Sequence, residues 1–570
     1  MRRQRRSLRL LALIVGLSLV AAACGGDDDD ADDSSAGQAS DDASEEVPEG
    51  GSLTLAAEQE PECLDWMGSC SGSSWGYWSV QVNTVPRAFD IVKDGEEWVY
   101  EASPMLAGEP ELQIDPEQVV TYTIADNAVW SDDEPIVCAD FVYTWDQMVN
   151  GEDIYDRTGW TEIGAVDCPD GEDGKTVVTT YAEPYAGWHQ NFGGNFGVFP
   201  SHILEGQDRS AAMADGYDWS GGPWKLDGWE RGVEVRLVPN ENYWGDLPKL
   251  DDVTFRFITD TSSQLQAFKG GEVQGGYPQP QPDLVDELDR GIDGMDYTLS
   301  VKSPNAEGLW INNEAPPFDD VDVRKALAYS LDRAAIVERL FGPVGVEEPL
   351  QSFNEPILGA DFGNQDAFAD YERDLDQVDE LMEGAGYEKD DDGFWTLDGE
   401  RPTITFKTTT GNQRRELTQD IIIEQAAEAG FDIAKDNVEA GDLFGTMLPQ
   451  GDFQLALYAQ VLTSLEPNTP ALFRSENVPS EENDFSGQNW TRTIVDGLDE
   501  PLGQVDSNPD PDERSAAAAE ADDLMAENMV SIPVDPLPNI FIFSDRIVGP
   551  AGDSPILGPF WNMNLWGVEG

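Results

Sequence analysis

From residue 52 onward, short runs of β-branched and aromatic residues alternate with runs of helical period, which restricts the chain to an α/β or mixed architecture. VVTYTIADNAVW (119–130) has strand composition, and CADFVYTWDQMV (138–149) follows with Phe141, Trp145 and Met148 on one helical face. GVEVRLVPN (232–240) and VTFRFI (253–258) alternate like strands around a turn rich in Asn, Gly and Pro. SSQLQAFKGGE (262–272) reads as a short helix ended by Gly270 and Gly271. In 318–342, Val323, Ala326, Leu327, Ser330 and Leu331 form a buried stripe, Asp332 caps a second helix and Gly342 stops it. RRELTQDIIIEQAAEAG (414–430) and DERSAAAAEADDLMAENM (512–529) are further helices, while DFQLALYAQ (452–460) and NIFIFS (539–544) are apolar strands. No repeat of fixed period interrupts this order.

A chain of 570 residues exceeds a single hydrophobic core, so two or more domains are expected. Its 17 Trp and 23 Phe supply ample material for packing. The charge is the unusual quantity: 112 acidic against 33 basic residues, a net of −79. Nucleic acid is excluded as a partner, because phosphate binding needs clustered Lys and Arg. Broad contact with anionic lipid is excluded on the same ground. High solubility, in a medium salty enough to screen the repulsion, is the simplest use of such a charge.

The N-terminus obeys a different logic. Arg2, Arg3, Arg5, Arg6 and Arg9 precede an apolar run from Leu10 to Val20, too short to span a bilayer comfortably. Small residues and Cys24 follow, the layout of a secretory signal. Ala21-Ala22-Ala23-Cys24 resembles the lipobox of bacterial lipoproteins, with Ala21 where that pattern usually has Leu. The resemblance implies cleavage after residue 23 and lipidation of Cys24. Residues 25–50 hold almost no apolar side chains, so they are expected to remain a disordered acidic tether.

Four other cysteines remain, Cys63, Cys70, Cys138 and Cys168, an even number suited to disulfides in an exported chain. Of three connectivities, Cys63–Cys70 with Cys138–Cys168 closes the two local loops; a four-thiolate zinc site is the alternative, but no CxxC pair exists. GSSWG (72–76) fits the Gly-x-Ser-x-Gly of a hydrolase elbow, yet it follows a cysteine-stapled loop instead of a strand. Only His189 and His202 exist to serve as a base. KDDDGFW (389–395) begins like a calcium loop but has Arg401 at the twelfth position, so an Asp-Gly hairpin is expected there, as in CPDGEDGKT (168–176). No metal or cofactor is expected.

Four blocks, taken in order, carry a resemblance: WSDDEPIVCADFVYTW, GPWKLDGWERGVEVRLVPNENYWGDLPKLDDVTFRFI, LWINNEAPPFDDVDVRKALAYSLDRAAIV and DFQLALYAQ. They resemble the extracytoplasmic solute-binding proteins of peptide-type ABC importers, the dipeptide/oligopeptide-binding class (bacterial solute-binding protein family 5). That resemblance implies a two-lobed, periplasmic-binding-protein-like α/β fold with a hinged cleft. Lobe I would hold 51–85, 186–305 and 528–570, with 86–185 as its extra subdomain, and lobe II 306–527. The chain would cross between lobes near 305 and 527. The implied protein is a monomer without catalytic chemistry, which captures a peptide or similar small organic solute and passes it to a membrane permease. A secreted hydrolase or a glycan-binding lipoprotein is the alternative. By the same resemblance Tyr277, Gln460 and Thr463 face the cleft, Trp310 and Asn312 lie at the lobe crossing, and Glu466 sits in the turn facing the ligand. Oligopeptide binders place an aspartate for the ligand's ammonium where this chain has Thr463.

Overall fold

The computed structural model describes residues 47–570, apart from 69, 71–73, 95–96, 195, 301–304, 347, 355–361, 463–464, 551–555 and 570. Cys24, the signal segment and most of the tether therefore lie outside the described residues, as does Thr463. Among the described residues no helix is long and apolar enough to cross a membrane.

Three larger sheets organise the fold. The first has seven strands, in the order Met295–Ser300, Asn539–Ser544, Gly275–Gly276, Ser52–Ala57, Asp252–Phe257, Glu234–Pro239 and Trp224–Glu230. Ser52–Ala57 pairs in parallel with both Gly275–Gly276 and Asp252–Phe257. Alternation along the strand assigns its two faces: Leu53, Leu55 and Ala57 enter one core, and Ala56 enters another with Leu265, Phe268 and Ile542. The second sheet has five strands, Asp432–Lys435, Thr403–Lys407, Leu455–Val461, Asn305–Ile311 and Ile532–Pro536. Asn305–Ile311 is buried along its whole length, as expected of a strand covered on both faces, so its sequence shows no period of two. Helices cover this sheet and share its core. A four-stranded antiparallel sheet (Glu111–Gln113, Val119–Thr123, Thr176–Tyr181, Ile163–Asp167) is the third, and its Val120 and Tyr122 belong to the core of the first.

Local chemistry fixes most of the helices. Val321–Ser330 and Arg333–Phe341 form the expected pair, and the Ala335 amide donates to Asp332 at 2.9 Å. The chain does not stop at Gly342; a 3-10 turn, Gly342–Val344, carries it on to Gly345, whose φ of 85° needs no Cβ to be cleared. Cys138–Asn150 is helical, with Phe141 and Met148 buried and Trp145 half-buried. Its position is set by Asp140, which accepts from Trp130 Nε1 (3.1 Å), the Val137 amide (3.0 Å) and both the amide and hydroxyl of Ser201 (2.8 and 2.7 Å). The strand expected over 119–130 ends at Thr123, because Ala125 to Ala128 close a turn (Ala128 N to Ala125 O, 3.1 Å).

Both local disulfides are present, Cys63–Cys70 with Cα atoms 5.9 Å apart and Cys138–Cys168 with 5.8 Å. The would-be calcium loop is a hairpin, Glu388–Lys389 against Trp395–Thr396, and Arg401 donates to Asp390 (2.5 Å) and Asp392 (3.2 Å). A guanidinium thus neutralises the carboxylates a cation would have needed.

Candidate functional site

The chain passes from the seven-stranded sheet to the five-stranded one after Ser300, and returns between Pro536 and Asn539. The return comes later than residue 527, where the long helix Pro511–Glu527 ends, because the next strand, Ile532–Pro536, still pairs with Asn305–Ile311. Leu537, Pro538 and Asn539, the returning link, form one wall of a cleft with about 950 Å³ of empty space, part of it open solvent.

One side of the cleft is aromatic and belongs to the seven-stranded sheet. Trp75 and Trp78 are three residues apart on a helical segment that begins at Ser74, so they project from one face. The Cys63–Cys70 disulfide ties the loop just before them. Tyr277 follows Gly275–Gly276, a pair squeezed between two neighbouring strands: a Cβ on Gly275 would lie 2.9 Å from the Ile542 carbonyl oxygen. That glycine strand lets the sheet close and delivers Tyr277 at its edge. Tyr277 meets Trp78 edge-on (centroids 5.5 Å apart) and Trp75 at 6.4 Å.

The opposite side comes from the five-stranded sheet. Leu455–Val461 is buried through Tyr458 and half-exposed at Ala459, Gln460 and Val461, so its last turn of residues faces the cleft. Tyr458 is held by Trp310, stacked at 5.1 Å, and touches Phe444 (5.6 Å) and Trp490 (5.9 Å). Tyr155, from the region of the four-stranded sheet, meets Trp490 edge-on at 6.3 Å. Hydrogen bonds bridge the same gap: Gly487 N to Tyr155 O (3.1 Å), and Gln460 Nε2 to Gln488 Oε1 (3.3 Å) followed by Gln488 Nε2 to Asp156 Oδ2 (2.6 Å).

Behind the cleft lies a buried charge cluster. Glu307 accepts from Arg414 Nη2 (3.0 Å) and Arg415 Nε (2.8 Å), and Arg414 also reaches Gln279 Oε1 (3.2 Å). Asn412 caps the helix that carries both arginines, accepting from the Arg415 amide at 3.0 Å, and its Oδ1 accepts from Gln281 Nε2 at 3.2 Å. Burial works against the Glu307 carboxylate, but the two guanidinium groups hold it below the usual carboxylate range. Asp535, opposite Glu307 in the strand register, is pushed by burial up to about 7 despite Arg414. Burial likewise pushes Glu58 up.

Of the residues singled out in the sequence, Tyr277 and Gln460 line this cleft from opposite sides. Trp310 is buried in the core of the five-stranded sheet and donates Nε1 to the Tyr458 carbonyl (2.8 Å), so it supports a cleft residue from behind. Asn312 is buried too and ties the Gly451 and Phe453 carbonyls (3.1 and 3.0 Å). Glu466 is paired with Arg514 at 2.6 Å and packs against Gly187, away from the cleft lining. Trp75, Trp78, Tyr155, Phe444 and Trp490 were not anticipated; only the spacing of the first two carried a signal. Ser74 also lines the cleft, but neither histidine does: burial lowers His189 to about 4 between Trp188 and Tyr100, and His202 pairs with Asp132 at 3.1 Å. The Gly-x-Ser-x-Gly match therefore has no base beside it among the described residues.

The family model described as "Bacterial extracellular solute-binding proteins, family 5 Middle" matches residues 101–476. Protein XP55 of Streptomyces lividans is 23% identical over 343 residues, which span 58% of this chain and 59% of that one. The oligopeptide-binding protein OppA of Mycobacterium tuberculosis is 23% identical over 508 residues, 86% of this chain and 80% of that one. Among solved structures, the oligopeptide-binding protein AppA of Bacillus subtilis, in complex with a nonapeptide, superposes with a TM-score of 0.80 at 18% identity, covering 92% of this chain and 100% of that one. At that identity the likeness shows the fold, a two-lobed α/β architecture.

Proposed function

This chain belongs to the bacterial extracellular solute-binding proteins of family 5, and on that premise we propose that it captures a peptide or similar small organic solute in the cleft and delivers it to a membrane permease. The family is one of binding proteins, and no reaction is assigned. The observation that carries the reading is the cleft's construction: aromatic side chains from both sheets face one space whose wall includes the returning link Leu537–Asn539. A solute lodged there touches both lobes and one of the segments that joins them, so binding and hinge closure share contacts. Such a solute favours the closed form by the difference in contact free energy between the two forms.

In this reading the lobes divide close to the sequence-based boundaries, with the hinge at the crossings after Ser300 and at Leu537–Pro538. Lobe I keeps the four-stranded sheet as its subdomain. The mature chain begins at a lipidated Cys24, and residues 25–50 tether the binding unit to the outer face of the membrane. The protein acts as a monomer toward a permease. An oligopeptide-binding name for one relative, and a nonapeptide in one structural neighbour, make peptides the first probe.

A thermal-shift and calorimetric titration of the purified chain with a mixed library of di- to pentapeptides and small neutral solutes tests the reading. Members that bind are expected to raise the melting temperature, and Tyr277→Ala to remove the rise. A rise that survives both Tyr277→Ala and Trp490→Ala would put the site elsewhere.

A further inference from the structure

Two strands adjoin the crossings between the larger sheets, Asn305–Ile311 after the outgoing one and Ile532–Pro536 before the returning one. Each carries a buried carboxyl, Glu307 and Asp535, and the strand register sets the two opposite each other. The helix Gln413–Glu428 brings Arg414 and Arg415 from the five-stranded side, and Glu58 follows Ser52–Ala57 of the seven-stranded sheet. All five side chains are buried. The seven-stranded side also sends neutral groups to the start of that helix. Gln279 accepts from Arg414 (3.2 Å), Gln281 donates to Asn412 (3.2 Å) and Ser262 accepts from Gln413 (2.7 Å). The cluster therefore spans both sheets at the place where the chain passes between them.

Its charges do not balance. Three carboxyls face two guanidinium groups, so one negative charge is left over if every acid is ionised, and a buried net charge is costly. No further ionisable side chain acts on the three acids among the described residues. Arg333, on the helix packed against Ile532–Pro536, spends Nη1 on the Leu350 and Pro533 carbonyls (2.7 and 3.0 Å). The surrounding groups then decide which acid holds a proton. Glu307 receives both guanidinium groups and stays ionised. Asp535 meets no hydrogen-bond donor at either oxygen, and Glu58 meets none at Oε2, among the described residues. An ionised carboxylate is penalised in such a place, whereas its protonated form carries no charge. Burial accordingly pushes Asp535 up to about 7 and pushes Glu58 up as well.

We propose that this cluster is a proton-dependent tie between the two lobes: one proton, taken from solvent and held by Asp535 or Glu58, keeps it together, and loss of that proton favours the parted form. The proposal rests on the reading of the two sheets as lobes that move about these crossings, and adds a second control beside the solute. Parting withdraws Glu58, Gln279 and Gln281 from the arginine side and lets water reach the acids, which then titrate in the ordinary carboxylate range. An acid raised only in the closed form supports that form fully at low pH. That support is lost as pH rises from about 4 through about 7.

The test uses the full chain without solute, and the proton is the probe. Small-angle X-ray scattering at about pH 5.5 and about pH 8.5 reads the balance of forms on either side of the transition. The unaltered chain is expected to have the larger radius of gyration at the higher pH. Asp535→Asn and Glu58→Gln each leave two carboxylates against two guanidinium groups, a cluster that needs no proton. Both variants are expected to keep the smaller radius at both pH values. Asp506→Asn and Asp522→Asn remove two other carboxyls that burial raises, to about 8 and about 7, and are expected to expand with pH as the unaltered chain does. A radius of the unaltered chain that does not change with pH overturns the proposal. So does an expansion that survives in Asp535→Asn or in Glu58→Gln, or one that disappears with Asp506→Asn or Asp522→Asn. Where one cluster variant does not fold, the other decides, because the charge count is the same for both. None of these outcomes touches solute capture, which the library titration above tests at a fixed pH.

Discussion

At Asp506, burial pushes the carboxyl up to about 8: the attraction of Arg474 and Arg514 is outweighed, and Glu162 and Glu466 add repulsion. Its Oδ2 lies 3.4 Å from Arg474, while its own backbone oxygen accepts from the Ala186 amide at 2.7 Å. An acid whose folded pKa is raised binds more protons folded than unfolded. Its contribution is therefore full below the ordinary carboxylate range and is lost as pH rises from about 4 through about 8. Asp506→Asn is expected to shrink the fall in melting temperature between pH 5 and pH 8, read by calorimetric scans; an unchanged fall would contradict this account of the site. Tyr277 and Gln460 came from the family resemblance, Tyr277 after a glycine-rich turn and Gln460 at the end of an apolar run, and both line the cleft. Tyr155, Phe444 and Trp490 were not legible in the sequence, since they come from three distant segments that only tertiary packing assembles. Trp310 was read as a neighbour of the crossing, but a strand buried on both faces has no period to reveal which side a ring occupies.

Elements whose ends are fixed by local chemistry were the most readable. Asp260, Asp332 and Asn412 each cap the helix that follows, and NIFIFS forms the strand Asn539–Ser544. Errors fell where a side chain or turn overrode propensity, as at Ala125–Ala128, which ends the strand Val119–Thr123, and at the 3-10 turn beyond Gly342. The helix Cys138–Asn150 carries two restraints of different kinds, the Asp140 hydrogen bonds and the Cys138–Cys168 disulfide. The disulfide closes a loop with a sequence separation of 30, for which the chain-entropy model gives about 3–4 kcal/mol. Replacing both cysteines by serine is expected to lower the unfolding free energy by up to that amount in urea titrations. Peptide mapping without reductant should link Cys138 to Cys168; a Cys138–Cys63 link would refute the pairing.

For the whole molecule, the sequence pointed to an α/β class and two lobes, but sheet order was beyond it. Ser52–Ala57 pairs with Asp252–Phe257, and register across 200 residues is set by packing, which no local pattern encodes. Charge behaved in the same way: the total of −79 was plain, whereas the lack of acidic side chains in the cleft lining, among the described residues, appears only once distant segments meet. The central claim is that a solute in this cleft draws two lobes together about the crossings after Ser300 and at Leu537–Pro538. Small-angle X-ray scattering of the purified chain, with and without a saturating amount of whichever library member binds in calorimetry, tests it most directly. The account predicts a smaller radius of gyration with solute present, and no such change in Tyr277→Ala at the same solute concentration. A radius of gyration that stays the same for the unaltered chain at saturation would contradict it.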